Sequence, residues 1–283
     1  MKNTGVLFCL LVFLLSCSKP VDTPTAAREA AVYKNQAYGN DPLQKMDVYL
    51  PADRTSVTTK VLILVHGGAW TGGDKTEFDP FISNYLLKEL PDYAIFNINY
   101  RLYKKDTNQF PTQEHDVKAA VDFLNSKRKE YAVSEKTAIL GASAGAHLAL
   151  LTAYKYNQAG NIHAVVSIAG PTDLTALYDS NTVVANTLLV PVIGGTPDEV
   201  PDRYTESSPI TYAATGAAPT LLFQGGQDPL VPQSQAELLI NQLQQLNVPF
   251  QKVIYPNAGH GWGDPELTDT FKKTGEFLRQ HLQ

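Results

Sequence analysis

The run Gly141-Ala142-Ser143-Ala144-Gly145 constrains this chain more than any other. It has the form G-x-S-x-G, and its flanks place it. Thr137–Leu140 is a short apolar run that reads as a buried strand, and Ser143–Tyr154 is a helical candidate. Glycines around a serine at a strand-to-helix junction permit a sharp turn that pushes the hydroxyl out of the sheet. Such a serine is a candidate nucleophile, and a serine hydroxyl needs a base to take its proton.

Six histidines compete for that role. His115 and His147 fall on helical patterns, His163 opens a strand, and His281 lies in a terminal helix where solvent is expected to reach it. His66 belongs to a separate motif. His260 differs, because it sits in Asn257-Ala258-Gly259-His260-Gly261-Trp262 just after an apolar run. Its flanking glycines are expected to let the backbone swing the imidazole over the sheet edge. A carboxylate must then hold the ring in the tautomer that accepts a proton. Asp228, in Gln224-Gly225-Gly226-Gln227-Asp228-Pro229, follows the strand candidate Thr220–Phe223 and fits best, with Asp173 and Asp264 as rivals. Val65-His66-Gly67-Gly68-Ala69-Trp70 supplies the remaining part. After a strand, such a turn can present N–H groups to an oxyanion beside the N–H of Ala144.

Other strand candidates are Met46–Leu50, Val61–Val65, Tyr93–Ile98, Ala164–Ile168 and Gln251–Tyr255. Helical spacing links Val117, Ala120, Val121 and Leu124, then Leu238, Leu239, Leu243 and Leu246, and Phe271–Leu282 is a further helix. Strands alternating with helices imply an α/β fold, a mostly parallel sheet with helices on both faces. Ligands then gather at the carboxyl ends of the strands. Pro171–Pro219 is too long for a simple connection and reads as an excursion bordering the site.

Together these motifs resemble the α/β-hydrolase esterases related to hormone-sensitive lipase, most closely the branch of feruloyl and acetyl-xylan esterases. Gly72-Gly73-Asp74-Lys75, Asn99-Tyr100-Arg101-Leu102, Phe110–Ala120 and Ser208-Pro209-Ile210 extend the likeness over about Lys45–Leu282. The resemblance implies the α/β-hydrolase fold, with Ser143, Asp228 and His260 as triad and Gly68, Ala69 and Ala144 as oxyanion donors. Ala69 stands where the commoner form has a third glycine, which puts a methyl near the acyl pocket. Gly72–Lys75, Arg101 and Asp116 are expected to brace loops. Trp70 and Trp262 are candidates for lining the substrate pocket. The implied reaction is ester hydrolysis through an acyl-enzyme, with acetyl or feruloyl groups on xylan as substrate. The same triad serves an amide hydrolase (a peptidase or an arylformamidase), and a scaffold of this kind can also be a tethered, non-catalytic binding protein. The mechanism requires no metal or cofactor, and the sequence offers no ligand cluster for one.

The amino terminus carries a different signal. Lys2 precedes Gly5–Leu15, an apolar run too short to span a bilayer, which reads as a signal peptide over 1–16. Leu14-Leu15-Ser16-Cys17 resembles a bacterial lipobox, so Cys17 is expected to carry a lipid and 17–30 to form a tether to a hydrolase domain over 31–283. The expected location is the bacterial cell envelope, on a membrane. Cys9 and Cys17 are the only cysteines, so cleavage before Cys17 leaves no pair for an internal disulfide. A net charge of -5 and the lack of a basic patch argue against nucleic acid as a partner.

Overall fold

The computed structural model describes Met1 and residues 28–157, 160–180 and 185–283. The expected signal peptide, Cys17 and most of the expected tether lie outside the described residues.

Eight strands form one sheet: β1 (Ala31–Ala37), β2 (Lys45–Leu50), β3 (Lys60–Val65), β4 (Tyr93–Ile98), β5 (Thr137–Ala142), β6 (Ile162–Ile168), β7 (Thr220–Gly225) and β8 (Phe250–Tyr255). Their spatial order is β1-β2-β4-β3-β5-β6-β7-β8. β2 runs antiparallel to β1 and β4, and all other neighbours are parallel. The central strands are continuous apolar runs because both sides of the sheet are covered. Along β3, Val61, Ile63 and Val65 join one core, while Leu62 and Leu64 join the other. Fully burying each such side chain contributes about 1.5–3 kcal/mol.

The helices divide accordingly. α1 (Thr112–Tyr131), α2 (Ala144–Lys155) and α3 (Gln233–Gln245) supply Val117, Leu124, Leu148, Leu239 and Leu243 to the first core. α4 (Glu266–His281) and a mixed helical stretch over Lys75–Glu89 supply Phe271, Phe277, Phe78 and Ile82 to the second. That stretch passes through a 3-10 turn, an α-turn and a π-helical segment at Ile82–Leu86. Among the described residues no helix is long and apolar enough to cross a membrane.

β1 was not expected from the sequence. Its residues AVYKNQA are mostly exposed, so it carries no apolar alternation, and its pairing with β2 defines it. The 171–219 excursion contains short helices, among them Leu174–Ser180, Val190–Ile193 and Pro201–Glu206.

Candidate active site

Strand register sets the site. Val65 at the end of β3 is level with Gly141 of β5, so the His66–Trp70 turn emerges beside Ser143. Ser143 itself takes the left-handed backbone (φ 52, ψ -121), at the junction of β5 and α2. Its N–H donates to the Ile168 carbonyl at the end of β6. The two glycines of the motif serve close approach rather than the turn. A Cβ on Gly145 would lie 2.1 Å from the Val65 carbonyl oxygen, and one on Gly141 would lie 2.1 Å from that of Gly145.

The structure brings Ser143, His260 and Asp228 together. His260 Nε2 lies 2.8 Å from Ser143 Oγ, and His260 Nδ1 lies 2.8 Å from Asp228 Oδ2. Burial pushes the Asp228 carboxyl up, but hydrogen bonds from His260 and from the Val231 and Leu230 N–H groups outweigh it and hold the group below the usual value. An ionised carboxylate only accepts, so His260 donates through Nδ1 and leaves Nε2 as acceptor for the serine proton. The rivals stand elsewhere. Asp173 accepts from the Ala176 N–H, and Asp264 from Tyr85 and Thr268.

The flanking glycines of His260 do not act as expected. Gly259 and Gly261 have no left-handed backbone, and a Cβ on either meets nothing within 4 Å. The close approach is on the other strand, where a Cβ on Gly225 would lie 2.0 Å from the Gly259 carbonyl oxygen.

In the turn after β3, Gly68, Ala69 and Trp70 all have positive φ (102, 51 and 62). Ala69 thus takes a conformation that favours glycine. Ala69, Ser143, Ala144 and His260 line one small cavity. The Ala144 N–H is the first of helix α2 and has no carbonyl within the helix to bond. Tyr100 braces the turn, its hydroxyl donating to the His66 and Gly67 carbonyls at 3.0 and 3.2 Å and its ring stacking on His66. Asp74 accepts from the Thr76 N–H and Asn99, and Lys75 pairs with Asp47 at 3.1 Å, so Gly72–Lys75 ties the loop down. Arg101 and Asp116 form an ion pair at 2.6 Å away from the serine.

Two supporting side chains lay beyond the sequence reading. Gln224 donates to Asp228 Oδ2 at 3.1 Å and to the Val231 carbonyl at 2.8 Å, which fixes the carboxylate. His147, read only as a helical histidine, accepts from the Trp70 indole N–H at 3.3 Å through Nδ1 and donates to the Ser207 carbonyl at 2.7 Å through Nε2. Its place one helical turn after Ser143 was the available signal. Trp70 is therefore buried and anchored, and it lines the small cavity. Trp262 is half-buried and lines a larger one, its indole donating to Thr270 at 2.9 Å. His281 is partly buried against Phe277 rather than solvated, and burial lowers its pKa. Among the described residues no three His, Cys, Asp or Glu side chains converge as a metal site requires.

The BD-FAE family model matches residues 46–243. A probable carboxylic ester hydrolase, LipM of Mycobacterium tuberculosis, is 30% identical over 82% of this chain, which spans 57% of that relative's length. Among solved structures, a truncated carbohydrate esterase from gut microbiota superposes with a TM-score of 0.78 at 24% identity, covering 91% of this chain and 98% of that one. A bifunctional GH43-CE protein of Bacteroides eggerthii gives 0.76 at 25% identity, covering 89% of this chain and 35% of that one. The shared architecture is the α/β-hydrolase fold.

Proposed function

The chain belongs to the BD-FAE family of α/β-hydrolase esterases, and from that premise we propose that it hydrolyses carboxylic esters with Ser143 as nucleophile. The carrying observation is the continuous line of hydrogen bonds from Ser143 through His260 to Asp228. Ser143 Oγ attacks the ester carbonyl while His260 Nε2 takes its proton. The N–H groups of Gly68, Ala69 and Ala144 receive the oxyanion, each such donor contributing about 3–4 kcal/mol to the transition state. The adduct collapses by breaking the bond to the alcohol oxygen, which leaves with the proton from His260. Water then repeats the sequence and frees the acid.

The substrate proposed is an acyl group on plant polysaccharide, acetyl or feruloyl on xylan. Family membership and the resemblance to a carbohydrate esterase support this reading. Export and a lipid on Cys17 place the enzyme at the cell envelope in the same proposal. The test is release of acetate and ferulate from defined acylated xylo-oligosaccharides by wild type and Ser143→Ala, with fluorophosphonate labelling of both. Release of at least one of the two acids, and labelling, by wild type alone are expected. Labelling that persists in Ser143→Ala would remove the nucleophile assignment. Cleavage of short nitrophenyl esters without release from the oligosaccharides would remove the polysaccharide. Turnover of matched amides but not esters would favour an amide hydrolase.

A further inference from the structure

Two cavities leave His260 in different directions. The first, about 40 Å³, adjoins Ser143, Ala69 and Ala144 and is walled by Trp70, Pro171, Leu177, Leu188, Leu230 and Val231. The second, about 170 Å³, adjoins His260, Gly67 and Ala142 and is lined by the rings of Phe78, Phe81, Trp262 and Phe271. Leu177 and Trp70 belong to the core on one face of the sheet, whereas Phe78 and Phe271 belong to the core on the other. The aromatic walls are held from behind. Phe81 stacks on Phe271 at 5.5 Å, and Trp262 packs on Tyr255 at 5.1 Å while its indole N–H is engaged by Thr270. The polar side chains in this second cavity are His260, Glu77 and Thr270.

We propose that the two cavities divide the ester between them: the small aliphatic pocket takes a short acyl group, and the aromatic cavity takes a ring carried by the alcohol. This deepens the ester-hydrolase reading and rests on it. When the tetrahedral adduct collapses, the carbon–oxygen bond to the alcohol breaks, the electron pair stays on that oxygen, and its proton comes from His260 Nε2. The alcohol oxygen therefore lies on the His260 side, from which the aromatic cavity continues past Gly261 and Trp262. Of the oxyanion donors, Ala69 and Ala144 border the small pocket beside Ser143, and on this proposal the remaining substituent of the carbonyl carbon lies there. A volume of about 40 Å³ suits an acetyl group rather than a feruloyl group, so acetyl, of the two acyl groups proposed, is the one selected. The larger cavity is poor in hydrogen-bonding groups and rich in flat faces, which suits a ring with an apolar face. An aryl ring and the apolar face of a sugar share that chemistry.

Ethyl acetate, ethyl butyrate, ethyl hydrocinnamate, naphthylmethyl acetate and an acetylated methyl xyloside test the division, because all release alkyl alcohols. Naphthylmethyl acetate should exceed ethyl acetate in kcat/KM by about tenfold or more, and ethyl hydrocinnamate should fall below it by a similar factor. Phe81→Ala and Trp262→Ala should each shrink the naphthylmethyl-to-ethyl ratio, and Leu188→Ala should raise butyrate relative to acetate. A gain for the acetylated xyloside that Trp262→Ala removes assigns the ring to a sugar; a gain confined to naphthylmethyl acetate assigns it to an aryl alcohol. Preference for hydrocinnamate over naphthylmethyl acetate, or an unchanged ratio in both folded aromatic variants, overturns the proposal while leaving the esterase standing. Turnover of matched amides with no ester cleaved overturns the ester reading itself, and this inference with it.

Discussion

At His147 a single buried ring connects the serine helix, the turn after β3 and the segment at Ser207. Burial pushes its pKa from 6.5 down to about 4, so near neutral pH it is uncharged and can accept from Trp70 while donating to Ser207. In the unfolded chain the ring takes up a proton below about 6.5, which the folded protein refuses until about 4. The stability it contributes is therefore fully present above pH 6.5 and falls as the pH drops toward 4. At about 1.4 kcal/mol per unit, that loss amounts to about 3 kcal/mol. His147→Asn cannot titrate, so its thermal midpoint should fall less between pH 7 and 4.5 than that of wild type. At pH 7 it should be the less stable of the two, by about 1–3 kcal/mol for a buried group left without its partner. Its kcat on a short ester should fall as well, since Trp70 follows Ala69 in the left-handed turn. Equal pH slopes in the two proteins would show that the ring does not carry this linkage.

Between elements, glycines decide how closely the chain approaches itself, and their neighbours matter more than their spacing. Gly225 closes β7 against the carbonyls of Ala258 and Gly259, so a methyl there must part the loop bearing His260 from the strand that leads to Asp228. Gly259 and Gly261 face open space. Gly225→Ala should lose ester hydrolysis by about a hundredfold or more, as a misplacement of about 1 Å at reacting groups can, whereas Gly259→Ala should stay near wild type and Gly261→Ala should keep its turnover of ethyl acetate, whose alcohol leaves the aromatic cavity empty. Assays of the three variants beside circular dichroism check this, and a dead but folded Gly259→Ala would contradict it. Periodicity could not distinguish these glycines, because the contact of Gly225 at the end of β7 with the Gly259 carbonyl forms only on folding. It did locate β3 to β8 to within about two residues; β3 to β7 are long apolar runs because both faces are covered, and β8 keeps only Val253–Tyr255 of such a run. It missed β1, whose exposed residues give no such run, and it missed Lys75–Glu89, where a π-helical segment blurs the 3.6-residue repeat. Ser143, Asp228 and His260 were legible because each directly follows a recognisable strand. Gln224 and His147 were not, because their roles depend on partners far away in the chain or reached only through folding.

Over the whole molecule, the candidate site sits at the carboxyl ends of β3, β5, β7 and β8, whereas the described chain enters through β1 at the edge of the sheet. Five parallel strand pairs hold the centre of the sheet, and Cys9 and Cys17 are the only cysteines in the sequence. The role proposed for Cys17 is lipid attachment. Even fully extended, the chain from Cys17 to Arg28 spans no more than about 40 Å. A lipid on Cys17 would hold the domain within about that distance of a membrane surface. Expressed in a bacterial host, wild type should take up a radiolabelled fatty acid and sediment with membranes, and Cys17→Ser should do neither. Because the proposed site is built from residues of the described domain, Cys17→Ser released to the soluble fraction should cleave small esters with the wild-type kcat/KM. Wild type recovered unlabelled in the soluble fraction would remove the anchor, and with it the reason for a membrane-bound esterase.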